Sequence, residues 1–328
     1  VTAPASIYLI SYLEPIADML LRDDVTDIYI NKPQEVWVET LGGGLERHDA
    51  PGLDMTTLER LSRQIAAVSH QGISRAHPIL SATLPGGARV QIVMPPATRG
   101  DIAIAVRKHA LSNMTLTDYT NGGAFDEATT GKPGDKSDTD SKLAAMISAR
   151  DFGGALASAV RARRNILISG GTSTGKTTFL NALMREIPAE ERLILIEDTP
   201  ELQLHHANAV GLLAARGDQS EAQVTTDDLL TSALRMRPDR IIVGELRGPE
   251  AFTFLRAVNT GHPGSMTTVH ADSAQRAIEQ ITLLILQTGT RLDRDDIHHF
   301  VNNTVDVFVQ LERVGGRRRV AEVMLNMR

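Results

Sequence analysis

Apolar residues recur at helical spacing through Leu13, Ile16, Ala17, Leu20 and Leu21, which predicts an opening helix. The pattern then changes to alternation. Thr26–Asn31 (T-D-I-Y-I-N) and Glu35–Glu39 (E-V-W-V-E) read as strands, with N-K-P-Q supplying the turn between them. Leu41–Gly44 is a glycine-rich turn. Thr56 followed by Glu59 predicts a capping box, opening a helix whose apolar face is Leu58, Leu61, Ile65 and Val68. Beyond a turn at Pro85-Gly86-Gly87, Arg89–Met94 and Ile102–Arg107 are again strand-like. Residues 1–116 are expected to form a small α+β domain with an antiparallel sheet.

Periodicity is lost across Thr117–Lys142, where Ser, Thr, Asp and glycines replace large apolar residues. This stretch reads as a linker and a hinge. From residue 143 to 328 strands alternate with helices. The strands are Asn165–Ser169, Arg192–Glu197, Arg240–Val243 and Ser265–Val269. The helices are Ala155–Arg163, Lys176–Ile187, Thr226–Met236 (capped by Thr225 or Thr226), Pro249–Thr260 and Ser273–Thr288. That alternation predicts an α/β domain with a mostly parallel sheet covered on both faces. Val305–Leu311 and Arg319–Leu325 form a hairpin around Gly315-Gly316.

Composition narrows the function classes. There is no cysteine among 328 residues, which removes a disulfide framework, a cysteine-ligated zinc or iron–sulfur site and a cysteine nucleophile. It fits a reducing, cytoplasmic setting. The net charge of −6 weighs against a duplex-DNA binder acting through a basic surface, and no sequence-specific nucleic-acid binding is expected. Apolar runs such as Ile281–Leu286 last about six residues against the ~20 that span a bilayer. The opening I-Y-L-I-S-Y-L lacks a basic flank and is broken by Glu14-Pro15, so it reads as an amphipathic helix rather than a leader.

The sharpest motif is G-G-T-S-T-G-K-T, with Gly170, Gly175, Lys176 and Thr177 in the G-x-x-x-x-G-K-[ST] pattern. It follows a buried strand and opens a helix, as phosphate binding requires. The glycines let backbone N–H groups turn inward, and the helix N-terminus adds partial positive charge. Gly170, Gly171, Thr172, Ser173, Thr174, Gly175, Lys176, Thr177 and Thr178 are therefore the expected nucleotide cradle. Lys176 would reach the β- and γ-phosphates and the Thr177 hydroxyl would ligate Mg²⁺. Glu197 and Asp198 end the next strand and could hold Mg²⁺ or polarise a water. Glu245 ends another strand in the Walker B position, where it could hold the metal or activate the attacking water. His270 ends the strand after that, placed to sense the γ-phosphate or orient groups around it, and His262 precedes the same strand in G-H-P-G.

Together these boxes resemble the secretion ATPases, most closely the traffic ATPases of type IV secretion and conjugation systems. The residues that carry the likeness are Gly170–Thr177, Glu197-Asp198, Gly244-Glu245-Leu246-Arg247 and T-G-H-P-G-S-M-T-T-V-H-A-D, with T-D-I-Y-I-N, V-W-V-E and A-R-V-Q-I before them. The resemblance implies a RecA-like, Mg²⁺-dependent ATPase built as a homohexameric ring. ATP would sit between the two domains and near the next protomer. The partners would be other secretion-apparatus components at the cytoplasmic face of the inner membrane, with peripheral membrane contact. By position, Arg89 and Arg107 look like the family's amino-terminal arginines that reach over the nucleotide. Arg99, Arg240 and Arg247 are weaker counterparts. The absent cysteines separate the chain from the zinc-bearing type II relatives. A-I-E-Q-I-T-L-L-I-L after the His box separates it from pilus-retraction motors. A RecA-like helicase or translocase and a pilus-type motor remain the rival readings. The helicase would use basic side chains such as Arg313 and Arg317-Arg318-Arg319. A GTP switch lacks its N-K-x-D, and a dead scaffold is at odds with intact Lys176, Thr177, Glu197 and Glu245.

Overall fold

The computed structural model describes residues 7–108, 115–126, 128, 138–217 and 219–326. Part of the expected linker, residues 127 and 129–137, falls outside the described residues. The amino-terminal part opens with α1 (Ile7–Leu13), a 3-10 turn at Glu14–Ile16 and α2 (Ala17–Leu21). The proline at the second position of that turn divides what alternation alone reads as one helix. Six strands follow: β1 (Val25–Ile30), β2 (Glu35–Thr40), β3 (Leu45–Asp49), β4 (Ile79–Thr83), β5 (Arg89–Val93) and β6 (Ala103–Arg107), with α3 (Met55–Val68) between β3 and β4. They form one antiparallel sheet in the order β3-β2-β1-β6-β5-β4.

The cap of α3 differs from expectation. Asp54, not Thr56, is the N-cap, and its carboxylate accepts the Thr57 N–H at 2.7 Å. The backbone at Asp54 is already extended after the Pro51-Gly52 turn, so the helix begins ahead of the threonine. Strands β3 and β4 are also additions. Both are short and largely polar or half-exposed, at the two edges of the sheet, where burial imposes little alternation.

Two helices fall partly within the stretch expected to be a linker, α4 (Leu116–Asn121) and α5 (Asp138–Ser148), and Leu143 of α5 already belongs to the carboxy-terminal core. The carboxy-terminal part continues through α6 (Phe152–Arg161), β7 (Ile166–Gly170), α7 (Lys176–Met184), β8 (Leu193–Glu197), β9 (Ala209–Leu213), α8 (Thr226–Ala233) and β10 (Arg240–Val243). Then come α9 (Glu250–Asn259), β11 (Met266–Val269), α10 (Ala274–Leu286), α11 (Arg294–Thr304), β12 (Val307–Val314) and β13 (Arg317–Leu325). The sheet order is β13-β12-β7-β11-β10-β8-β9, parallel except for the terminal hairpin partner β13. The fold class read from the sequence holds. Strand β9 and helix α11 were not anticipated; A-V-G-L-L carries a glycine and R-D-D-I-H-H-F-V-N-N-T is mostly polar.

The two sheets share a core. Along β1 and β6 the side chains alternate between faces. Ile28, Ile30, Ile104 and Val106 face a cluster with α3, whereas Tyr29, Ala103 and Ala105 join the carboxy-terminal core beside Leu212, Leu229 and Leu230. Small residues on that face let the sheets approach. Polar contacts surround the joint. The Arg192 guanidinium lies 4.1 Å from the Tyr29 ring centroid and donates to Asn31 Oδ1 at 2.8 Å. Arg75 pairs with Glu221 at 2.6 Å, and Arg237 with Glu39. The segment after β5 adds backbone bonds to β9, from Leu213 N–H to Ala97 O (2.9 Å) and from Arg99 N–H to Gly211 O (3.2 Å).

Arg240 is corrected here. It is not a nucleotide-facing arginine: its side chain is wholly buried at the start of β10, the end of the sheet remote from the phosphate loop. Nε and Nη2 donate to the Glu191 carboxylate, each at 2.7 Å, and Nη1 donates to Val160 O at 2.7 Å. Arg240→Ala would leave the buried Glu191 charge only its contact with Arg163 at 3.2 Å, and is expected to lower stability by about 3 kcal/mol. Urea unfolding would measure it; an unchanged midpoint would sink the expectation.

Candidate active site

The carboxyl ends of β7, β8, β10 and β11 converge on a cavity of about 400 Å³. This is the edge of a parallel sheet at which ligands bind. Residues 171–178 of the glycine loop form one wall, Glu197 and Asp198 a second, and Gly244, Glu245, Thr268 and His270 a third. Gly170, Lys176 and Thr177 thus lie where the motif requires. Two positions show why glycine is needed. A Cβ on Gly170 would sit 2.5 Å from Thr174 Oγ1 and 2.9 Å from Leu311 O, and Gly175 has φ +95° at the N-cap of α7.

Lys176 is nearly buried and folded back on its own loop. Its ammonium donates to Gly170 O at 3.0 Å and approaches His270 Nδ1 at 3.3 Å and Glu245 Oε1 at 3.8 Å. Burial pulls the ammonium pKa below its ordinary value, with Glu245 opposing that shift.

The acidic residues divide into two kinds. Glu197 is buried and held by partners on both carboxylate oxygens. One carboxylate oxygen accepts the N–H groups of Glu201 and Leu202, both at 2.9 Å, and the other takes an ion pair from Arg99. Glu245 faces the cavity, with Oε1 2.9 Å from His270 Nε2 and Oε2 paired with Arg247. Arg247 also holds Asp198 Oδ2 at 2.7 Å, so one guanidinium spans both carboxylates expected to serve a metal.

Other expected residues lie elsewhere. Arg89 and Arg107 are register partners on β5 and β6, exposed, and line a separate cavity of about 620 Å³ with Ser81, Gln91 and Arg235. Arg107 Nε donates to Asp27 at 2.9 Å. Neither lines the phosphate cavity of its own chain, because Arg235 follows α8 and precedes β10, at the opposite end of the sheet. Within one chain the described lining of the phosphate cavity is all carboxy-terminal, and Arg99 touches it only through its ion pair with Glu197. His262 is likewise remote. It precedes β11, its Nδ1 lies 3.0 Å from Pro238 O, and burial lowers its pKa. Arg318, read in sequence only as part of a basic turn, lines the phosphate cavity. Nothing local in R-R-R signals that placement.

The residues present fit Mg²⁺ bound with a nucleotide. Among the described residues no cluster of three or more acidic, His or Cys ligands could hold an ion alone. One hydroxyl (Thr177) and two carboxylates (Asp198, Glu245) on facing walls suit an ion that takes its other oxygens from phosphates and water.

A profile of the family described as "Type II/IV secretion system protein" matches residues 135–322. The chain is 41% identical over 328 residues to the type IV secretion system protein VirB11 of Bartonella quintana, covering 96% of this chain and 92% of that protein. It is 36% identical over 320 residues to the type IV secretion system protein PtlH of Bordetella pertussis, covering 95% and 93%. The crystal structure of the VirB11 ATPase from the Brucella suis type IV secretion system, in complex with sulphate, superposes with a TM-score of 0.90. It shares 37% identity and covers 97% of each chain.

Proposed function

The chain belongs to the type II/IV secretion system family, among the ATPases of type IV secretion, and from that premise we propose a task for each residue of its site. The protein is an ATP-hydrolysing motor and a component of a type IV secretion apparatus. The helicase and pilus-motor alternatives are not favoured. The observation that carries the residue assignment is the meeting of Lys176, Glu245 and His270 in the phosphate cavity.

ATP phosphates lie along the loop from Gly170 to Thr178, held by inward N–H groups and the N-terminus of α7. The Lys176 ammonium exchanges its carbonyl partners for β- and γ-oxygens. Thr177, Asp198 and Glu245 would supply the oxygen donors for Mg²⁺, which would neutralise phosphate charge. Arg247 must release the two carboxylates for them to serve. Glu245 accepts the proton of the attacking water, and His270 orients it. Glu197 holds the Glu201-Leu202 turn and, through Arg99, the joint to the amino-terminal sheet.

Residues 1–116 and 143–328 are the two domains and 117–142 connects them. Their shared apolar core supports motion between subunits rather than on a hinge within one. Arg89 and Arg107, turned away from their own loop, would then close over the nucleotide of a neighbour in a homohexamer. The test mixes two inactive proteins, Arg89→Ala/Arg107→Ala and Lys176→Ala. Turnover should reappear on mixing, because some interfaces then combine an intact loop with intact arginines. Arginines acting within their own chain could restore nothing. A mass measurement with ATP and Mg²⁺ that finds only monomer would reject the ring itself.

No described helix is long and apolar enough to cross a membrane. Peripheral contact with the cytoplasmic face of the inner membrane, beside other apparatus components, is supported by the exposed Ile7, Tyr8 and Ile10 on α1.

A further inference from the structure

Three cationic side chains line the phosphate cavity: Lys176, Arg247 and Arg318. Four carboxylates line it too, from Glu197, Asp198, Glu201 and Glu245. A polyphosphate entering such a site needs cations not already spent on those acids. Lys176 is tied to loop carbonyls beside Glu245, and Arg247 is paired with Asp198 and Glu245. Arg318 differs: among the described residues no carboxylate pairs with it, although Arg319 next to it is paired with Glu312.

The placement of Arg318 follows from the topology. Strand β12 runs parallel to β7 with Leu311 opposite Gly170, so the hairpin beyond Leu311 continues past the sheet edge alongside the glycine loop. Arg317, Arg318 and Arg319 lie at the start of β13, where successive side chains point to opposite faces. Arg318 is the one of the three that lines the phosphate cavity. Its Cδ would stand 3.0 Å from a Cβ on Gly175, with Nε and Nη1 at 3.6 Å, so the guanidinium lies across the residue that precedes Lys176.

The two sides of β7 divide the nucleotide. Glu197 ends β8, and Glu245 and His270 follow β10 and β11, all on one side of β7, and they mark where the γ-phosphate reacts. Arg318 comes from β12 and β13, on the other side. We propose that Arg318 binds the non-transferred α- and β-phosphates of the nucleotide, making the terminal hairpin a working part of the ATP site. This rests on the assignment of the phosphate cavity as that site. Arginine suits the task, since its planar fork can donate two N–H groups to neighbouring phosphate oxygens.

The test is calorimetric titration of the full chain with ADP and with a non-hydrolysable ATP analogue. Arg318→Ala should raise both dissociation constants about tenfold, as expected for losing a charge-assisted hydrogen bond. Arg318→Lys should recover part of the affinity. Arg317→Ala, on the same turn but outside the cavity, should change neither constant. Unchanged affinity for both nucleotides in Arg318→Ala would overturn the proposal, as would weakening of the ATP analogue alone, which would put the arginine on the γ-phosphate. Lys176→Ala run alongside separates the two readings. Loss of binding there with none in Arg318→Ala rejects only the hairpin contact, whereas undiminished binding in Lys176→Ala rejects the cavity as the nucleotide site.

Discussion

Lys176→Ala should abolish measurable ATP turnover, with kcat/KM falling by at least about 10³-fold, the scale of losing a preorganised charge aimed at a transition state. The side chain is nearly buried, and its ammonium now leans on Gly170 O, His270 and Glu245. Each of those contacts is weaker than one to a phosphate oxygen, so the lysine is poised to exchange partners. Arg318 and Arg247 cannot substitute. The first lies on the far side of β7 from the reacting acids, and the second is committed to Asp198 and Glu245. Stability should hold or rise slightly, because the mutation removes a partly desolvated charge whose pKa burial has already lowered. Phosphate release and thermal unfolding measured together check both halves. Retained hydrolysis would mean that the glycine loop is not the catalytic cradle.

Much of this site was legible because its chemistry is local. A strand, five loop residues and a helix start suffice to make G-G-T-S-T-G-K-T a phosphate cradle, and apolar runs ending in Glu197, Glu245 and His270 put those side chains at one sheet edge. What the sequence could not show depends on distant pairing. Arg99 and Glu197 meet because the segment after β5 docks on β9, and β9 itself was unread because its glycine breaks the strand pattern. That glycine is explained only by the docked chain: a Cβ on Gly211 would stand 2.6 Å from Arg99 Cδ. Arg89 and Arg107 were matched by position, yet position could not say that they would face Arg235 instead of the loop. Arg240 was a weaker candidate for a nucleotide-reaching arginine and is wholly buried, a placement set by Glu191 and the Val160 carbonyl.

The same distant pairing separates two glutamates that sequence left equivalent. Glu197 accepts two backbone N–H groups and an arginine, so its charge is held where a water would have to displace an existing partner. Such bonds hold the carboxylate in place and leave it badly placed to meet an attacking water. Glu245 has its Oε1 turned to His270 and the Lys176 ammonium inside the cavity, and its Oε2 is paired with Arg247, which is largely exposed. Glu245→Gln should therefore lower kcat by about 10²- to 10⁴-fold, the usual contribution of a general base. ATP affinity should stay within a few-fold, since the amide keeps the shape and one acceptor. Glu197→Gln should behave differently. It leaves Arg99 without its counter-charge, so it should lower the unfolding temperature, with a smaller loss of kcat that follows the loosened joint. Single-turnover hydrolysis at saturating ATP, paired with thermal unfolding of both variants, distinguishes them. If Glu197→Gln stopped the chemistry at unchanged stability while Glu245→Gln still turned over, the roles given to the two carboxylates would be reversed.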